Sequence, residues 1–164
     1  MEHCDQNNEL LLPIKKIIGR KRKYNIQADP IHNSLYVTAL TNRIMRKGKK
    51  SVAYKIVLDA LNLLQEHTDQ PVQSLTNAIT YARPSVELKS VANSYFPVPA
   101  EIKTARAFSL SLKFLINAAR KNANQPFAKR LARVIWDAAN NKGEAIAMKD
   151  SMHAAAAANN AFKI

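Results

Sequence analysis

Cysteine, glycine and aromatic residues are scarce in this chain of 164 residues. Its single cysteine, Cys4, excludes an internal disulfide and any zinc site built from several cysteines. Three glycines and an aromatic fraction of 7% suit helices packed through aliphatic side chains better than a turn-rich β-sandwich. No apolar run approaches the roughly 18 residues that span a membrane. We therefore expect a soluble protein of the mainly α class.

Acidic residues are also few, and they are unevenly distributed. The chain has 25 Lys and Arg against 12 Asp and Glu, which gives a net charge of +13 and a pI near 10.0. Such a balance favours a polyanionic partner, with nucleic acid ahead of an anionic membrane. Segments 43–55 and 104–133 contain no acidic residue, whereas 56–80 contains no basic one. This alternation predicts that one face meets a polyanion and another meets solvent or protein.

The first 33 residues differ from the rest because they lack sustained hydrophobic periodicity. They contain four consecutive basic residues, Arg20, Lys21, Arg22 and Lys23. We predict a basic, partly extended arm over 1–33 that orders mainly on a partner, with a solvated tail as the alternative. The first ten residues contain three acidic and no basic side chains, so we expect no secretory signal and no transit peptide. A single helical domain is predicted over 34–164.

Apolar residues spaced three and four apart predict about six helices in that domain. The expected spans are 34–47, 51–66 and 71–83, followed by helices that start at Thr104, at Pro126 and at about Glu144. Ser34 is the expected N-cap of the first helix, and Gly48 is expected to end it in a left-handed conformation. The second helix has two apolar stripes, one of them starting at Val52, and is therefore predicted to be a central core helix.

Between the third and fourth helices the pattern changes to alternation. Val86 and Leu88 alternate with charged residues, and apolar residues return after a turn at Asn93 and Ser94. This pattern predicts a two-stranded hairpin over about 86–99 that projects from the domain, with an exposed edge because it contains prolines.

Side chains that converge for catalysis are not evident in the sequence. The four histidines are neither paired at i, i+4 nor placed near acidic residues at metal-binding spacing, and the glycines are too dispersed for a phosphate-binding loop. Glu87 and Glu101 are a weak candidate for a carboxylate pair across the hairpin. We therefore expect no enzyme, no cofactor and no metal site.

A row of cations lies along the predicted fourth helix. Arg106, Lys113 and Arg120 recur at intervals of seven residues, about 10 Å apart at 1.5 Å per residue. Such a row follows a phosphate backbone rather than reading base edges, so RNA recognised by shape fits better than DNA read by a recognition helix. The alternative is a basic helical adaptor that binds DNA or acidic proteins.

The sequence Asn-Arg-Ile-Met-Arg-Lys-Gly-Lys-Lys at 42–50 resembles the signature of the bacterial-type small-subunit ribosomal protein S-seven family. The similarity continues in order over about 29–162, through Pro84, Val86-Glu87, Val98-Pro99 and Lys142-Gly143. It implies a helical domain with a protruding hairpin in the head of the small ribosomal subunit. It also implies a structural protein that binds the 3′ major domain of small-subunit rRNA, nucleates head assembly, contacts neighbouring head and platform proteins, and lies near the exit-site tRNA and the mRNA exit path.

The resemblance assigns roles to individual residues. The implied rRNA-binding residues are Arg20, Lys21, Arg22, Lys23, Arg43, Arg46, Lys47, Lys49, Lys50, Lys89, Arg106, Lys113, Arg120, Lys121, Lys142 and Lys149. The residues implied to lie near tRNA or mRNA are Asn93, Ser94 and Tyr95.

Two departures from the family pattern bear on the source of the chain. The hairpin tip at 90–94 is shorter than usual and has no glycine, and the basic run after Gly143 is reduced to a single cation at Lys149. Weak charge where RNA contacts are expected is typical of a divergent organellar ribosome. We expect a mitochondrial ribosome, with a plastid or a bacterial ribosome as the alternatives.

Overall fold

The computed structural model describes residues 27–89, 97–121 and 124–160. The helices are α1 (Leu35–Ile44), α2 (Lys50–Gln65), α3 (Pro71–Tyr81), α4 (Thr104–Lys121), α5 (Phe127–Ala139) and α6 (Glu144–Asn160). A hairpin of β1 (Val86–Lys89) and β2 (Val98–Glu101) lies between α3 and α4. Within these ranges, the prediction of a mainly α fold with about six helices and a hairpin after the third helix is confirmed.

The helix α5 lies at the centre of the domain, where it packs against α2, α3, α4 and α6. Its inward side chains include Leu131 and Ile135, both fully buried. The prediction that the second helix is a core helix is confirmed, since five residues of α2 are buried and the helix packs against α1, α3 and α5. Val57 in α2 is fully buried, whereas Val52 is 54% exposed. The exposed start of α2 borders a basic surface.

The connection between α1 and α2 is a tight turn. The helix α1 ends at Ile44 rather than at Lys47 as expected. Lys47 and Gly48 have φ angles of 51° and 74°, and the Lys49 N–H donates to the Arg46 carbonyl at 3.1 Å, as in a type I′ turn. The positive φ predicted for Gly48 is confirmed, but this residue forms the centre of a turn and does not end the helix.

The two strands of the hairpin are antiparallel, with Val86 opposite Glu101 and Glu87 opposite Ala100. The strand β2 therefore extends two residues beyond the predicted end of the hairpin at residue 99. Because partners in an antiparallel pair share a face and successive residues alternate, Glu87 and Glu101 lie on opposite faces of the hairpin. The candidate carboxylate pair was therefore wrong. The helix α6 packs against both strands.

The remaining helix bounds follow the predicted ones closely. The helix α2 begins at Lys50, one residue before the expected start, and α5 begins directly after Pro126. Ser34 precedes α1 with extended backbone, but its side chain makes no capping hydrogen bond. Within the three described ranges, none of the helices has the length and apolar character needed to cross a membrane.

Candidate nucleic-acid interface

A groove of about 360 Å³ opens where the α1–α2 turn, the start of α2, the end of α4 and the start of α5 meet. The residues that line it are Ile44, Arg46, Lys49, Val52, Ala53, Ile56, Arg120, Phe127 and Arg130. Its floor is apolar, its rim carries four cations, and no acidic residue is among those that line it. We call this feature the basic groove.

The local structure of two segments explains why cations converge on this groove. In the α1–α2 turn, the hydrogen bond from Lys49 to Arg46 reverses the chain, so both cations reach the same groove. In α4, Leu115 and Ala119 are buried, and Arg120 is consequently exposed in the last turn. A cation is favourable there, since the carbonyl end of a helix carries partial negative charge.

Arg120 is held beside two other arginines. Burial lowers the pKa of the Arg120 guanidinium, and the positive charges of Arg46 and Arg43 lower it further. A guanidinium does not lose its proton at physiological pH. The lowered pKa therefore reflects lost hydration first and repulsion between like charges second, and a polyanion bound in the groove would relieve that repulsion.

Arg130 completes the rim and was not among the predicted site residues. Its Nη1 donates to the carbonyl oxygen of Arg120 at 3.3 Å. Its guanidinium lies over the ring of Phe127, 5.5 Å from the ring centroid, in a cation–π geometry. The sequence did contain a signal, since Lys129, Arg130 and Arg133 lie on the predicted outer side of the fifth helix. The position of Arg130 next to Arg120, however, depends on how α4 and α5 pack.

Three predicted rRNA-binding cations are bound to groups within the protein. The pairs are Arg106 with Glu87, Lys121 with Glu144, and Lys149 with Asp150. Lys149 is further held by the carbonyl oxygen of Tyr81, which accepts from its Nζ at 3.1 Å. These three cations offer less charge to an external polyanion than the side chains of the basic groove.

The other predicted residues divide into two groups. The first group is exposed and takes no part in the three ion pairs above: Arg43, Lys47, Lys50, Lys89, Lys113 and Lys142. Arg20, Lys21, Arg22, Lys23, Asn93, Ser94 and Tyr95 lie outside the described residues. In the described ranges, no three His, Cys, Asp or Glu side chains are grouped so that they could hold a metal ion.

The fold and the groove define a basic, mainly helical protein with a hairpin and one surface rich in cations. A sequence model of the family described as ribosomal protein S7p/S5e matches residues 15–160 of this chain. The chain belongs to the ribosomal protein S7p/S5e family. The resemblance inferred from residues 42–50 is thus confirmed.

Several curated relatives are similar over most of the chain, and each is called small ribosomal subunit protein uS7. The protein of Dictyoglomus turgidum is 41% identical over 140 residues, which cover 84% of this chain and 90% of that protein. The protein of Thermosipho melanesiensis is 40% identical over 149 residues, which cover 87% and 96%. The protein of Bifidobacterium longum strain DJO10A is 40% identical over 147 residues, which cover 88% and 94%.

Proposed function

We propose that this chain is a structural constituent of the small ribosomal subunit, and that the basic groove and the α1–α2 turn bind phosphates of small-subunit rRNA. The observation that carries the proposal is the position of Arg120 beside Arg43 and Arg46, at a groove with no acidic lining residue. Phosphates bound there would relieve the repulsion between these cations, and cations that neutralise phosphates release counterions condensed on the RNA. The family match and the names of the relatives support the ribosomal setting.

The finer assignments rest on the family resemblance. The RNA is the 3′ major domain, the protein nucleates assembly of the subunit head beside other head and platform proteins, and the hairpin lies near the exit-site tRNA and the mRNA exit path. The protein acts without catalysis. The relatives reported above come from bacteria, which fits a bacterial ribosome, while the mitochondrial ribosome stays a prediction.

The test measures binding of the full chain to a transcript of the 3′ major domain between 50 and 200 mM salt. The variant carries Arg46→Ala, Lys49→Ala and Arg120→Ala. We expect its affinity to fall roughly 10- to 100-fold, at up to about 1 kcal/mol per cation, and the log–log salt slope to shrink by about 2 to 3.

The matched control carries Lys103→Ala, Lys129→Ala and Arg133→Ala, which remove the same charge from side chains that do not line the basic groove. We expect the control to change the slope by less than about one. An equal loss in both variants would show that only net charge matters. Equal affinity for an unrelated transcript, or partners in lysate that survive RNase, would favour the adaptor alternative.

A further inference from the structure

Glu87 is the most buried residue of the hairpin strands. It is 5% exposed, whereas the other seven residues of β1 and β2 are half-buried or exposed. Its strand partner is Ala100, a small residue on the same face of the hairpin. A buried carboxylate is unfavourable unless a cation or hydrogen-bond donors compensate it. The Glu87 carboxylate, where the hairpin packs on the domain, therefore needs a cation or hydrogen-bond donors.

Arg106, in the first turn of α4, supplies that partner. Its Nε donates to Oε2 of Glu87 at 2.7 Å, the distance of a strong charge-assisted hydrogen bond. The second carboxylate oxygen, Oε1, is buried and has no hydrogen-bond partner among the described residues. The orientation of the carboxylate thus depends on one directional contact to α4.

A second polar contact holds the chain two residues before Glu87. The N–H of Ser85, directly before β1, donates to Nε2 of His153 in α6 at 3.1 Å. The start of the hairpin is therefore held from α4 at Glu87 and from α6 at Ser85. Two contacts from different helices fix the direction in which the hairpin leaves the domain, whereas a single contact would let the hairpin rotate about it.

We infer that Arg106 is a positioning residue, which sets the direction in which the hairpin leaves the domain through its ion pair with Glu87, and that it is not one of the phosphate-binding cations. The Arg106 side chain is 62% exposed, as expected of a residue that contacts RNA. Its Nε, however, is hydrogen-bonded to Glu87 of the hairpin. The inference concerns the hairpin itself, and its structural part does not depend on the proposed RNA-binding function.

The two roles predict opposite effects for the isosteric change Glu87→Gln. If Arg106 bound phosphate, loss of the competing carboxylate would strengthen RNA binding, whereas Arg106→Ala would weaken it. If Arg106 positions the hairpin, the two variants share one phenotype, because each removes the same ion pair.

The experiment measures amide hydrogen exchange in the strands and in α5 for the full chain and the variants Glu87→Gln, Arg106→Ala, Arg106→Lys and Lys113→Ala. We expect exchange at 86–89 and 98–101 to speed up roughly tenfold in Glu87→Gln and Arg106→Ala, with α5 unchanged. Arg106→Lys, which keeps the charge, should lie between these variants and the parent chain. Lys113→Ala, a cation farther along α4, should leave the hairpin unchanged.

The salt dependence of binding to the 3′-domain transcript provides the second readout. The slope should stay constant in Arg106→Ala and fall by about one in Lys113→Ala if Lys113 meets a phosphate.

Parent-like hairpin exchange in Glu87→Gln, or a slope that falls by about one in Arg106→Ala, would overturn the inference. If the parent chain shows no salt-dependent RNA binding, the proposed function fails, and the exchange data still decide the role of Arg106. A rise of α5 exchange in Arg106→Ala would show global destabilisation, and Glu87→Gln then provides the deciding measurement.

Discussion

The helix α4 carries an arginine near each end, and the surroundings of the two arginines differ. At the first turn, Arg106 donates to the buried carboxylate of Glu87 at 2.7 Å. At the last turn, Arg120 lies beside Arg43 and Arg46 at a groove with no acidic lining residue. On the same helix, Arg106 thus forms an internal ion pair, whereas Arg120 is surrounded by other positive charges. The elements packed against each end decide which cations remain for a partner.

The largest expected effect is a difference in stability between variants at the two ends of α4. Arg106→Ala should lower the free energy of local opening of the hairpin by about 1 to 2 kcal/mol, because it leaves the Glu87 carboxylate buried and unpaired. The loss is smaller than for a fully buried pair, since Arg106 is 62% exposed. Arg120→Ala should change stability by less than about 0.5 kcal/mol. Amide hydrogen exchange of the hairpin strands in both variants measures the difference, and equal losses would contradict the contrast between the two ends.

A smaller effect is expected from an acidic residue placed in the basic groove. Val52 lies in the groove and is 54% exposed, so Val52→Glu should fold normally and cancel part of the positive charge. We expect affinity for the 3′-domain transcript to fall roughly fivefold, which corresponds to about 1 kcal/mol of interaction between charges near 4 Å in water. The control Val52→Gln has similar size without charge. A similar loss with Gln would mean that the shape of the groove, and not its charge, governs binding.

The smallest expected effect comes from the residue next to Arg120. Lys121 is paired with Glu144, so Glu144→Gln should release one cation beside the basic groove and raise RNA affinity up to about twofold. Fluorescence anisotropy at low salt is sensitive enough to detect it. The control Glu66→Gln removes an exposed acid at the opposite end of α2 from the groove. Equal gains in the two variants would indicate a general effect of net charge.

Much of the fold was predictable because each helix carries its own signals. Apolar spacing, the proline at residue 71 and the threonine at residue 104 placed the helices close to their observed bounds. The main error at a boundary was the end of α1, which stops at Ile44. Met45 leaves the helical conformation with ψ of 133°, so that the chain forms a turn centred on Lys47 and Gly48. Local signals located the glycine but did not distinguish a turn from a helix cap.

The candidate site was predictable in three of its four cations but not in their grouping. Arg46, Lys49 and Arg120 were identified from two acid-poor segments far apart in the chain, and the structure brings them to one groove. The pairing of Arg106 and of Lys121 was missed because their acidic partners lie 19 and 23 residues away. Helical periodicity describes only the face of one helix, and it contains no information about a strand or a second helix packed against that face.

The sequence by itself determined the helical class, the hairpin, the excess of positive charge and the family signature, since these depend on composition and on spacing within short segments. The tertiary structure decided which cations act together. It placed Arg120 against the α1–α2 turn, added Arg130 to the rim and bound Arg106 to the hairpin. The physical reason is that a charge interacts with whatever lies within a few ångströms in space, and residues far apart in sequence reach that distance only when helices pack.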